Sequence, residues 1–537
     1  MYVSVWQMAL LVPALIAAVP LQAQDRDDVP RTRTFPGIEN PALPYAQPED
    51  VGLSSEKLDR LGDDIVSWVA DSVLVGAELL IVKDGKVVFH EAYGWNDREE
   101  QRPIRRNSVF WVGSMAKPVT AAAVLILIEQ GRLALDDRVN EYIPGIPNDS
   151  LRVRHLLTHT SGYAFWGDEQ EYDAWLGTQT SLKSVIDAHV AAGPVRPFGE
   201  YTYSNFNYDA LGYIVEEVTG VTLATFTAEH LLGPIGLDDT YPDISPDTSP
   251  WTLRVNDLYQ RDPETGEYQK IWDVSRDMED PWAFYLPSGG LFATAMDYAR
   301  FMALWLNKGK LDDVRLLSEA TVEEALRPHT GRGAGGRDPY GFGWRVLVSG
   351  ELPTDDGMPA AFEHGGTAGT YAAAFPPADA LVVYMTHSRH GVHRRRFRNS
   401  LVAHEIFDGP GPYLVAGLVP LAETDVLELT PNQKQQYVGT YRSGDPDNPE
   451  EIVHEVFLED GRVIVRFWSP RSEEGDLLHL VPIGENRFGL SAGKYPDRPL
   501  DAIERDGEVR FTVEDGQAQG FEVLYSDEVV FTAQRVE

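Results

Sequence analysis

Apolar and polar positions along this chain follow a helical period in some stretches and a strand-like alternation in others. Apolar residues recur at helical spacing in Leu53–Val69, whereas Ala77–Tyr93 holds two β-rich runs around a Lys-Asp-Gly turn, which predicts a helix and then a hairpin. Helical patterns dominate from there to Leu306. Short strand-like runs return from Tyr340 onward, ahead of a helix around Arg396–Ile406. Strands at both ends with helices between them predict an α+β fold, in which helices flank an antiparallel sheet that joins the two ends.

The texture of the sequence changes after Leu421. Three strand-like hairpins follow, two of which turn at Asp-Gly: Val453–Trp468, Leu477–Leu490 and Val509–Tyr525. They predict a separate all-β barrel or sandwich of about a hundred residues, a common size for one domain. The predicted organisation is a helix-and-sheet domain over residues 51–415 and a β domain over residues 425–537, preceded by a charged, proline-rich arm at residues 24–50.

The first residues of the chain hold an apolar run that is interrupted by prolines and followed by a small residue, Ala23. This pattern predicts a secretory signal peptide at residues 1–23 and an exported protein, periplasmic or secreted. No lysine or arginine precedes the apolar run, so an uncleaved anchor or a wrongly assigned start stays open as an alternative. No later apolar stretch approaches the roughly 18 residues of a membrane-spanning helix, so no membrane span is expected after signal removal.

Composition excludes several classes of function. The formal net charge is −37, which opposes contact with a phosphate backbone, so no nucleic-acid partner is expected. The chain contains no cysteine, which rules out disulfide bonds, thiolate metal sites and a cysteine nucleophile. Any nucleophile must therefore come from another residue type.

A serine and a lysine stand three residues apart where a strand-like run turns into a predicted helix, in VFWVGSMAKPVTAAAVLILIEQG. At this spacing the heads of Ser114 and Lys117 can meet on one face of the helix. Gly113 allows a sharp turn, and the free N–H groups at a helix N-terminus favour an oxyanion. A serine becomes a nucleophile when a base takes its proton, and a lysine can serve as that base. Ser114 and Lys117 are therefore a candidate nucleophile and base.

The same spacing also has a structural explanation, because serine often caps a helix and lysine often lies in solvent. A second Ser-x-x-Lys copy, Ser54 and Lys57, opens the first predicted amphipathic helix, where capping explains the serine. The pattern alone does not separate catalysis from capping, so other motifs must decide.

Two further motifs accompany the first copy. Tyr203–Asn205 is the only Tyr-x-Asn in the chain and stands on a predicted loop before a helix. His364–Thr367 leads through glycines into a strand, and glycines there let a substrate lie against the backbone. These three elements, in this order and spacing, resemble the serine β-lactamase and penicillin-binding-protein superfamily, specifically its class C-like branch, over residues 50–405. The C-terminal β domain is similar to the lipocalin-like extension that many such hydrolases carry.

The resemblance implies a β-lactamase-type fold and a role for each motif residue. Ser114 would be the acylated nucleophile, Lys117 would activate it, and Tyr203 would be the general base that later protonates the leaving group. The residues expected to bind substrate are Asn205, His364, Gly366 and Thr367. The backbone N–H groups of Ser114 and Thr367 would form the oxyanion hole. The resemblance implies neither a metal ion nor another cofactor.

Other patterns suggest rival sites. His329–Gly331 repeats the third motif but has no strand directly behind it, so it is the weaker candidate. Gly489–Gly493 matches G-x-S-x-G, yet its flanks are loop and strand rather than a strand-to-helix elbow. Three histidines cluster in His387–His393 without an interleaved carboxylate, so we expect a solvated loop, a helix start or a basic rim of the active site instead of a metal site. His155 and His159 are expected to position a helix and a loop.

The sequence leaves the substrate open. Many members of the superfamily carry a lysine where this chain has His364, and a histidine is mostly uncharged near neutral pH, so it selects an anion less strongly. An exported esterase or amidase is therefore the first prediction, and a β-lactamase or D-amino-acid peptidase the second. An acyltransferase and a non-turnover protein that binds acyl ligands stay open. The predicted partner is a small ester, amide or peptide-like substrate, and the oligomeric state is not predicted.

Overall fold

A computed structural model describes residues 26–32, 43–165, 169–242, 254–262, 265–273, 284–331, 339–348, 358–391, 393–409, 411–416, 418–420, 424–443, 452–469, 472–491, 502–525 and 528–536. The predicted signal peptide at residues 1–23 lies outside these ranges. Within them, no helix combines the length and the apolar character needed to cross a membrane.

The helices of the described residues differ in how they are buried. They are α1 (Ser55–Ala70), α2 (Ala116–Glu129), α3 (Val153–Leu157), α4 (Glu169–Leu176), α5 (Leu182–Ala192), α6 (Asn205–Thr219), α7 (Leu223–Thr227), α8 (Ala295–Leu306), α9 (Glu319–Ala325), α10 (His393–Ala403), α11 (Gly411–Ala416) and α12 (Pro431–Gln435). Helix α1 is amphipathic and buries one face, whereas α2 is apolar on nearly every side and is buried almost throughout. The active-site serine candidate therefore precedes a helix inside the core.

The strands fall into one large sheet, one barrel and a few small pairings. They are β1 (Arg31–Thr32), β2 (Gly76–Lys83), β3 (Lys86–Asp97), β4 (Arg102–Pro103), β5 (Phe110–Trp111), β6 (Thr240–Tyr241), β7 (Leu258–Arg261), β8 (Tyr268–Trp272), β9 (Phe292–Ala293), β10 (Lys310–Leu311), β11 (Val314–Arg315), β12 (Arg345–Leu347), β13 (Ala361–Gly365), β14 (Tyr371–Phe375), β15 (Ala380–Thr386), β16 (Ser388–Arg389), β17 (Leu418–Pro420), β18 (Gly439–Ser443), β19 (Ile452–Glu459), β20 (Arg462–Ser469), β21 (Ser472–Gly484), β22 (Arg487–Ser491), β23 (Ala502–Glu514), β24 (Gln517–Tyr525) and β25 (Glu528–Arg535).

The large sheet joins the front and the back of the first domain. Its strands run antiparallel in the order β1-β3-β2-β15-β14-β13-β12, with β4 beside β3. Leu80 lies opposite Val383 and packs in the core that contains α2 and α8, whereas Leu79 and Tyr384 face the core that contains α1 and α10. The predicted α+β arrangement, in which helices flank an antiparallel sheet, is confirmed.

The C-terminal strands form a closed barrel. Eight of them follow the order β23-β22-β21-β20-β19-β18-β25-β24, and β24 pairs back with β23, so no edge is left open in this ring. Asp460 and Asp515 take positive φ values of 48° and 51° before their glycines, as two-residue hairpin turns require. The interior holds aromatic and aliphatic side chains, among them Tyr441, Phe488, Phe511 and Phe521. The structure thus resolves the predicted barrel-or-sandwich alternative as a barrel.

Two features of the first domain depart from the predicted elements. The middle region, which was predicted as helices and loops, also contains the β7–β8 hairpin, and β7 pairs with β16. Strand β13 was missed as well, so His364 lies within a strand instead of ahead of one. Glu363 and His364 are both buried in β13, and two adjacent ionisable residues interrupt the apolar pattern by which a strand is identified.

Candidate active site

Ser114 occupies a single 3-10 turn, Gly113–Met115, between β5 and α2. Gly113 has a φ of 55°, a left-handed conformation that glycine adopts without strain. The helix behind the serine is buried, so Ser114 projects from a rigid element into a cavity of about 360 Å³.

Lys117 is fully buried beneath Ser114 and contacts three oxygen atoms. Its Nζ lies 3.0 Å from Ser114 Oγ, 2.8 Å from Asn205 Oδ1 and 2.9 Å from the Ser288 carbonyl oxygen. None of these three groups is a carboxylate. The arrangement brings together the serine and the lysine of the first motif and the asparagine of the second.

The second Ser-x-x-Lys copy has a different environment. Ser54 caps α1 by accepting a hydrogen bond from the backbone N–H of Lys57 at 3.3 Å. The Lys57 ammonium group lies 3.0 Å from a carboxylate oxygen of Glu405, at the surface. The geometry confirms that Ser54 caps a helix.

Tyr203 and Asn205 stand at the start of α6, and a buried histidine holds them there. His159 Nδ1 accepts hydrogen bonds from the Ser204 backbone N–H and from Asn207 Nδ2, both at 3.1 Å. Burial, reinforced by the charge of Lys117, lowers the pKa of His159, so its ring stays neutral and can accept these bonds. The Tyr203 ring lies 4.5 Å from the His159 ring, and its centroid is 4.8 Å from Lys117 Nζ.

His364 lies beside the same cavity in a neutral form. Its Nδ1 is 3.0 Å from the Gly365 carbonyl oxygen, which can only accept, so this nitrogen carries the proton. Its Nε2 is then free to accept the hydroxyl hydrogen of Tyr340 at 3.1 Å. Burial, with the charges of Lys117 and Arg345, lowers the pKa of His364 well below its ordinary value. The sequence-based expectation that this position supplies no permanent cation agrees with that environment.

The turn after β13 packs directly against the turn that holds Ser114. Gly366 N–H donates to the Thr370 carbonyl at 2.8 Å, and Thr370 Oγ1 donates to the Val112 carbonyl at 3.0 Å. A Cβ atom built on Gly113 would lie 3.0 Å from the backbone nitrogen of Thr367. The backbone N–H groups of residues 114 and 367 therefore sit on adjoining turns.

Three arginines line this cavity, and the motif analysis did not name them individually: Arg345, Arg394 and Arg398. Arg345 extends from β12 and lies 3.5 Å from a carboxylate oxygen of Glu363. Arg394 donates to the Gly366 carbonyl at 3.2 Å, and the Arg398 guanidinium lies 5.8 Å from the centre of the Tyr371 ring. Two of the roles predicted for the histidine-and-arginine segment are present, because His393 begins α10 and Arg394 and Arg398 form a basic rim of the cavity.

Asp209 is a buried carboxyl group that the motifs also missed. It follows Asn205 by one turn of α6, and its Oδ1 accepts from Ser288 N–H at 3.0 Å, while the Ser288 carbonyl accepts from Lys117. Its Oδ2 is buried and has no hydrogen-bond partner among the described residues. Burial raises the pKa of Asp209 to about 7, although Ser288 and Lys117 act in the opposite direction. The sequence did contain a signal for this residue, because an aspartate interrupts an otherwise apolar face of the predicted helix.

The rival hydrolase motifs lie elsewhere. His329 stacks on Phe342 with ring centres 4.2 Å apart, and its Nε2 donates to the Glu324 carbonyl at 2.8 Å. Ser491, the serine of the G-x-S-x-G match, ends β22 in the barrel and accepts a hydrogen bond from His479 N–H at 3.0 Å. Both residues have structural partners that account for their positions.

The three clustered histidines take separate places. His387 is buried, His390 lines the cavity, and His393 Nε2 lies 2.8 Å from the Ser388 carbonyl. Across the described ranges, no group of three histidine, cysteine, aspartate or glutamate side chains is placed to hold a metal ion.

Comparison with known proteins gives a consistent result for this part of the chain. Residues 63–405 match the family model described as Beta-lactamase. A putative D-alanyl-D-alanine carboxypeptidase from Salmonella paratyphi A is 25% identical over 393 residues, which cover 66% of this chain and 88% of the relative. Esterase EstB from Burkholderia gladioli is 28% identical over 352 residues, which cover 60% of this chain and 86% of the relative.

A solved structure extends the likeness in fold towards the C-terminus. The octameric penicillin-binding protein homologue from Pyrococcus abyssi is 20% identical and gives a TM-score of 0.56. The match covers 89% of this chain and 100% of that protein. At this identity the likeness concerns the fold, and the chemistry of the site has to be argued from the residues themselves.

Proposed function

This chain belongs to the beta-lactamase family and is a serine hydrolase, and we propose that it cleaves an ester or amide bond through an acyl-enzyme formed on Ser114. The proposed enzyme is exported to the periplasm or secreted, which rests on the sequence of residues 1–23.

The contacts of Lys117 support the proposal most directly. A neutral amine has two hydrogens and one lone pair. In the proposed neutral form, Lys117 would donate these hydrogens to Asn205 Oδ1 and the Ser288 carbonyl, 2.8 Å and 2.9 Å from Nζ, and would accept the hydroxyl hydrogen of Ser114, whose Oγ lies 3.0 Å away. This environment suits a lysine that receives a proton from the serine hydroxyl, as a base in nucleophilic catalysis must.

The remaining residues take roles around that proton transfer. Ser114 Oγ attacks the carbonyl carbon while its proton passes to Lys117, and the backbone N–H groups of Ser114 and Thr367 stabilise the oxyanion. The proton then passes through the Tyr203 phenol to the leaving group as the ester or amide bond breaks. Water attacks the acyl-enzyme with the same two groups as base, which releases the acid and restores Ser114.

We propose a carboxylesterase-type reaction first, because His364 is uncharged, so the third motif itself supplies no cation to bind the carboxylate of a β-lactam or a D-alanine terminus. The relatives include an esterase as well as a putative D-alanyl-D-alanine carboxypeptidase. A specific observation favours the second candidate, a β-lactamase or D-amino-acid peptidase: Arg394 and Arg398 line the cavity and could receive a carboxylate.

Turnover of 4-nitrophenyl acetate, nitrocefin and a D-alanyl-D-alanine peptide, measured in parallel, tests the proposal. We expect Ser114→Ala to lower ester hydrolysis by about 10³-fold or more, as removal of a covalent nucleophile does. Ser54→Ala is the matched control, because it changes the serine of the capping copy and should leave turnover unchanged. Full activity in Ser114→Ala would refute the acyl-enzyme, and rapid nitrocefin cleavage without ester turnover would reverse the two candidates.

A further inference from the structure

Among the described residues that line the cavity with Ser114, positive side chains outnumber negative ones. Three guanidinium groups line it, from Arg345, Arg394 and Arg398, against one carboxylate, from Glu363. That carboxylate lies 3.5 Å from Arg345 and also accepts the hydroxyl hydrogen of Tyr371. Glu363 thus forms its ion pair with Arg345, and the other two guanidinium groups have no ion pair among the described residues.

The two remaining arginines have little else to bind. Arg394 and Arg398 are one turn apart on α10 and so share a face of the helix. Among the described residues, Arg394 makes one hydrogen bond, to the Gly366 carbonyl at 3.2 Å, and neither arginine forms an ion pair. Arg398 Nε is buried and has no hydrogen-bond partner in the described part of the chain.

The surroundings of Arg394 disfavour its positive charge. Burial and the neighbouring charge of Arg398 both lower the pKa of Arg394. The chain has no shortage of acidic residues, since it contains 83 aspartates and glutamates against 46 lysines and arginines. Two guanidinium groups on one face of α10, with no ion pair among the described residues, favour an anion bound in the cavity, which would offset their repulsion.

We infer that the cavity binds a substrate bearing two carboxylates, one held by Arg394 and the other by Arg398, an inference that rests on the proposed acyl-enzyme function. Guanidinium groups pair with carboxylates in a planar, two-bonded geometry, so two of them match a dicarboxylate. Arg394 contacts Gly366, and the next residue, Thr367, adjoins the Ser114 turn. A dicarboxylate part of the substrate therefore lies close to the bond that is cleaved.

Binding to the Ser114→Ala protein tests this inference without any turnover. Succinate, glutarate and isophthalate are compared by calorimetry with butyrate, valerate and benzoate, which lack the second carboxylate. We expect at least one dicarboxylate to bind about tenfold or more tightly than its counterpart, as an added charge-assisted hydrogen bond provides. Both Arg394→Met and Arg398→Met should abolish that gain while keeping the apolar stem of the side chain.

Arg396→Met is the matched control, because it removes the same charge from the same helix but Arg396 lines a different surface pocket, with Arg98 and Arg261. Unchanged thermal unfolding of the three variants would show that they fold alike. The inference is overturned if no dicarboxylate binds more tightly than its monocarboxylate counterpart, or if Arg394→Met or Arg398→Met keeps that difference in affinity. It is also overturned if inorganic phosphate binds more tightly than every dicarboxylate.

A turnover series separates this inference from the proposed function. Phenyl acetate, 3-acetoxybenzoate and 5-acetoxyisophthalate carry zero, one and two carboxylates on the leaving group, and 4-nitrophenyl esters of acetic, succinic and tricarballylic acid repeat the series on the acyl side. In one of the two series we expect kcat/KM to increase with each added carboxylate, and the second carboxylate should increase it by about tenfold. In Arg398→Met we expect no such increase. If turnover depends on Ser114 but is highest for the neutral ester in both series, the substrate is not a dicarboxylate. That result would still support the acyl-enzyme. Absence of any Ser114-dependent turnover would refute the acyl-enzyme, and the calorimetry would still decide on the dicarboxylate.

Discussion

Two serine–lysine pairs with the same spacing behave differently because their surroundings differ. Lys57 reaches the surface carboxylate of Glu405, whereas Lys117 is buried among a carbonyl, an amide oxygen and the Ser114 hydroxyl. Ser288 links Lys117 to a second buried group, because its carbonyl accepts from Lys117 Nζ and its N–H donates to the carboxyl group of Asp209. The same sequence spacing therefore leads to a surface ion pair in one copy and to a buried polar network in the other.

Asp209→Asn should change how stability depends on pH. The pKa of Asp209 is about 7 in the folded protein, above the value of about 3.9 for an exposed aspartate. Between these values the unfolded chain has lost the proton that the folded protein retains, so stability falls as pH rises from about 4 to about 7 and then levels off. We expect the asparagine variant to lack this decline. Its thermal midpoint, relative to that of the wild type, should therefore increase as pH rises.

Scanning calorimetry of both proteins at pH 4.5, 6 and 8 measures this difference. Asp136→Asn serves as the control, because Asp136 is exposed and its ion pair with Arg154 lowers its pKa, which gives no decline over this range. A constant difference between Asp209→Asn and the wild type across the three pH values would contradict the prediction.

At the scale of elements, the site depends on three short connections: the turn before α2, the loop before α6 and the turn between β13 and β14. Sequence motifs placed the serine and the tyrosine on the first two connections, because each motif pairs a turn-forming residue with a helix. The histidine was expected ahead of a strand and lies within β13 instead. The motifs could not show that the turn after β13 packs against Val112, since that contact joins residues more than 250 positions apart. They also passed over Arg398, whose importance follows from the way α10 lies against β14.

Gly366→Ala should disable the site by displacing one of these turns. A Cβ atom there would lie 2.1 Å from the Val112 carbonyl oxygen and 2.2 Å from Thr370 Oγ1. Since a backbone oxygen cannot move aside cheaply, the turn and the Thr367 N–H should shift away from Ser114. We expect kcat/KM for an ester to fall by about 10² or more, as loss of an oxyanion-hole donor does.

Gly331→Ala is the control for that change, because a Cβ atom there would have no neighbour within 4 Å among the described residues, and the residue belongs to the rival histidine motif. We expect it to retain wild-type kcat/KM. Equal activity in both alanine variants would exclude the proposed packing of the two turns around the reacting carbonyl.

At the scale of the whole molecule, the large sheet and the barrel have separate apolar cores. One core lies on each face of the large sheet, and another fills the closed barrel, whose hydrogen bonds are completed within its own ring of strands. Between them, β17 pairs with β23, and Val402 and Leu418 form a small shared cluster. The sequence could predict both units, because each has its own periodicity, but β17 is too short for its three residues to indicate a partner strand.

Phe521→Ala should therefore destabilise the barrel alone. Phe521 is 1% exposed and packs against Tyr441 and Phe511, so its removal should cost about 3–5 kcal/mol of barrel stability. We expect calorimetry of the wild type to show two transitions, of which this variant lowers one while ester turnover at room temperature is retained. Phe226→Ala, equally buried in the core around the large sheet, should lower the other transition. If both variants instead lower one shared transition, the prediction is wrong. The sheet region and the barrel would then unfold together, and the stability of the catalytic cleft would depend on the barrel. The small Val402–Leu418 contact would in that case couple the two regions more strongly than its size implies.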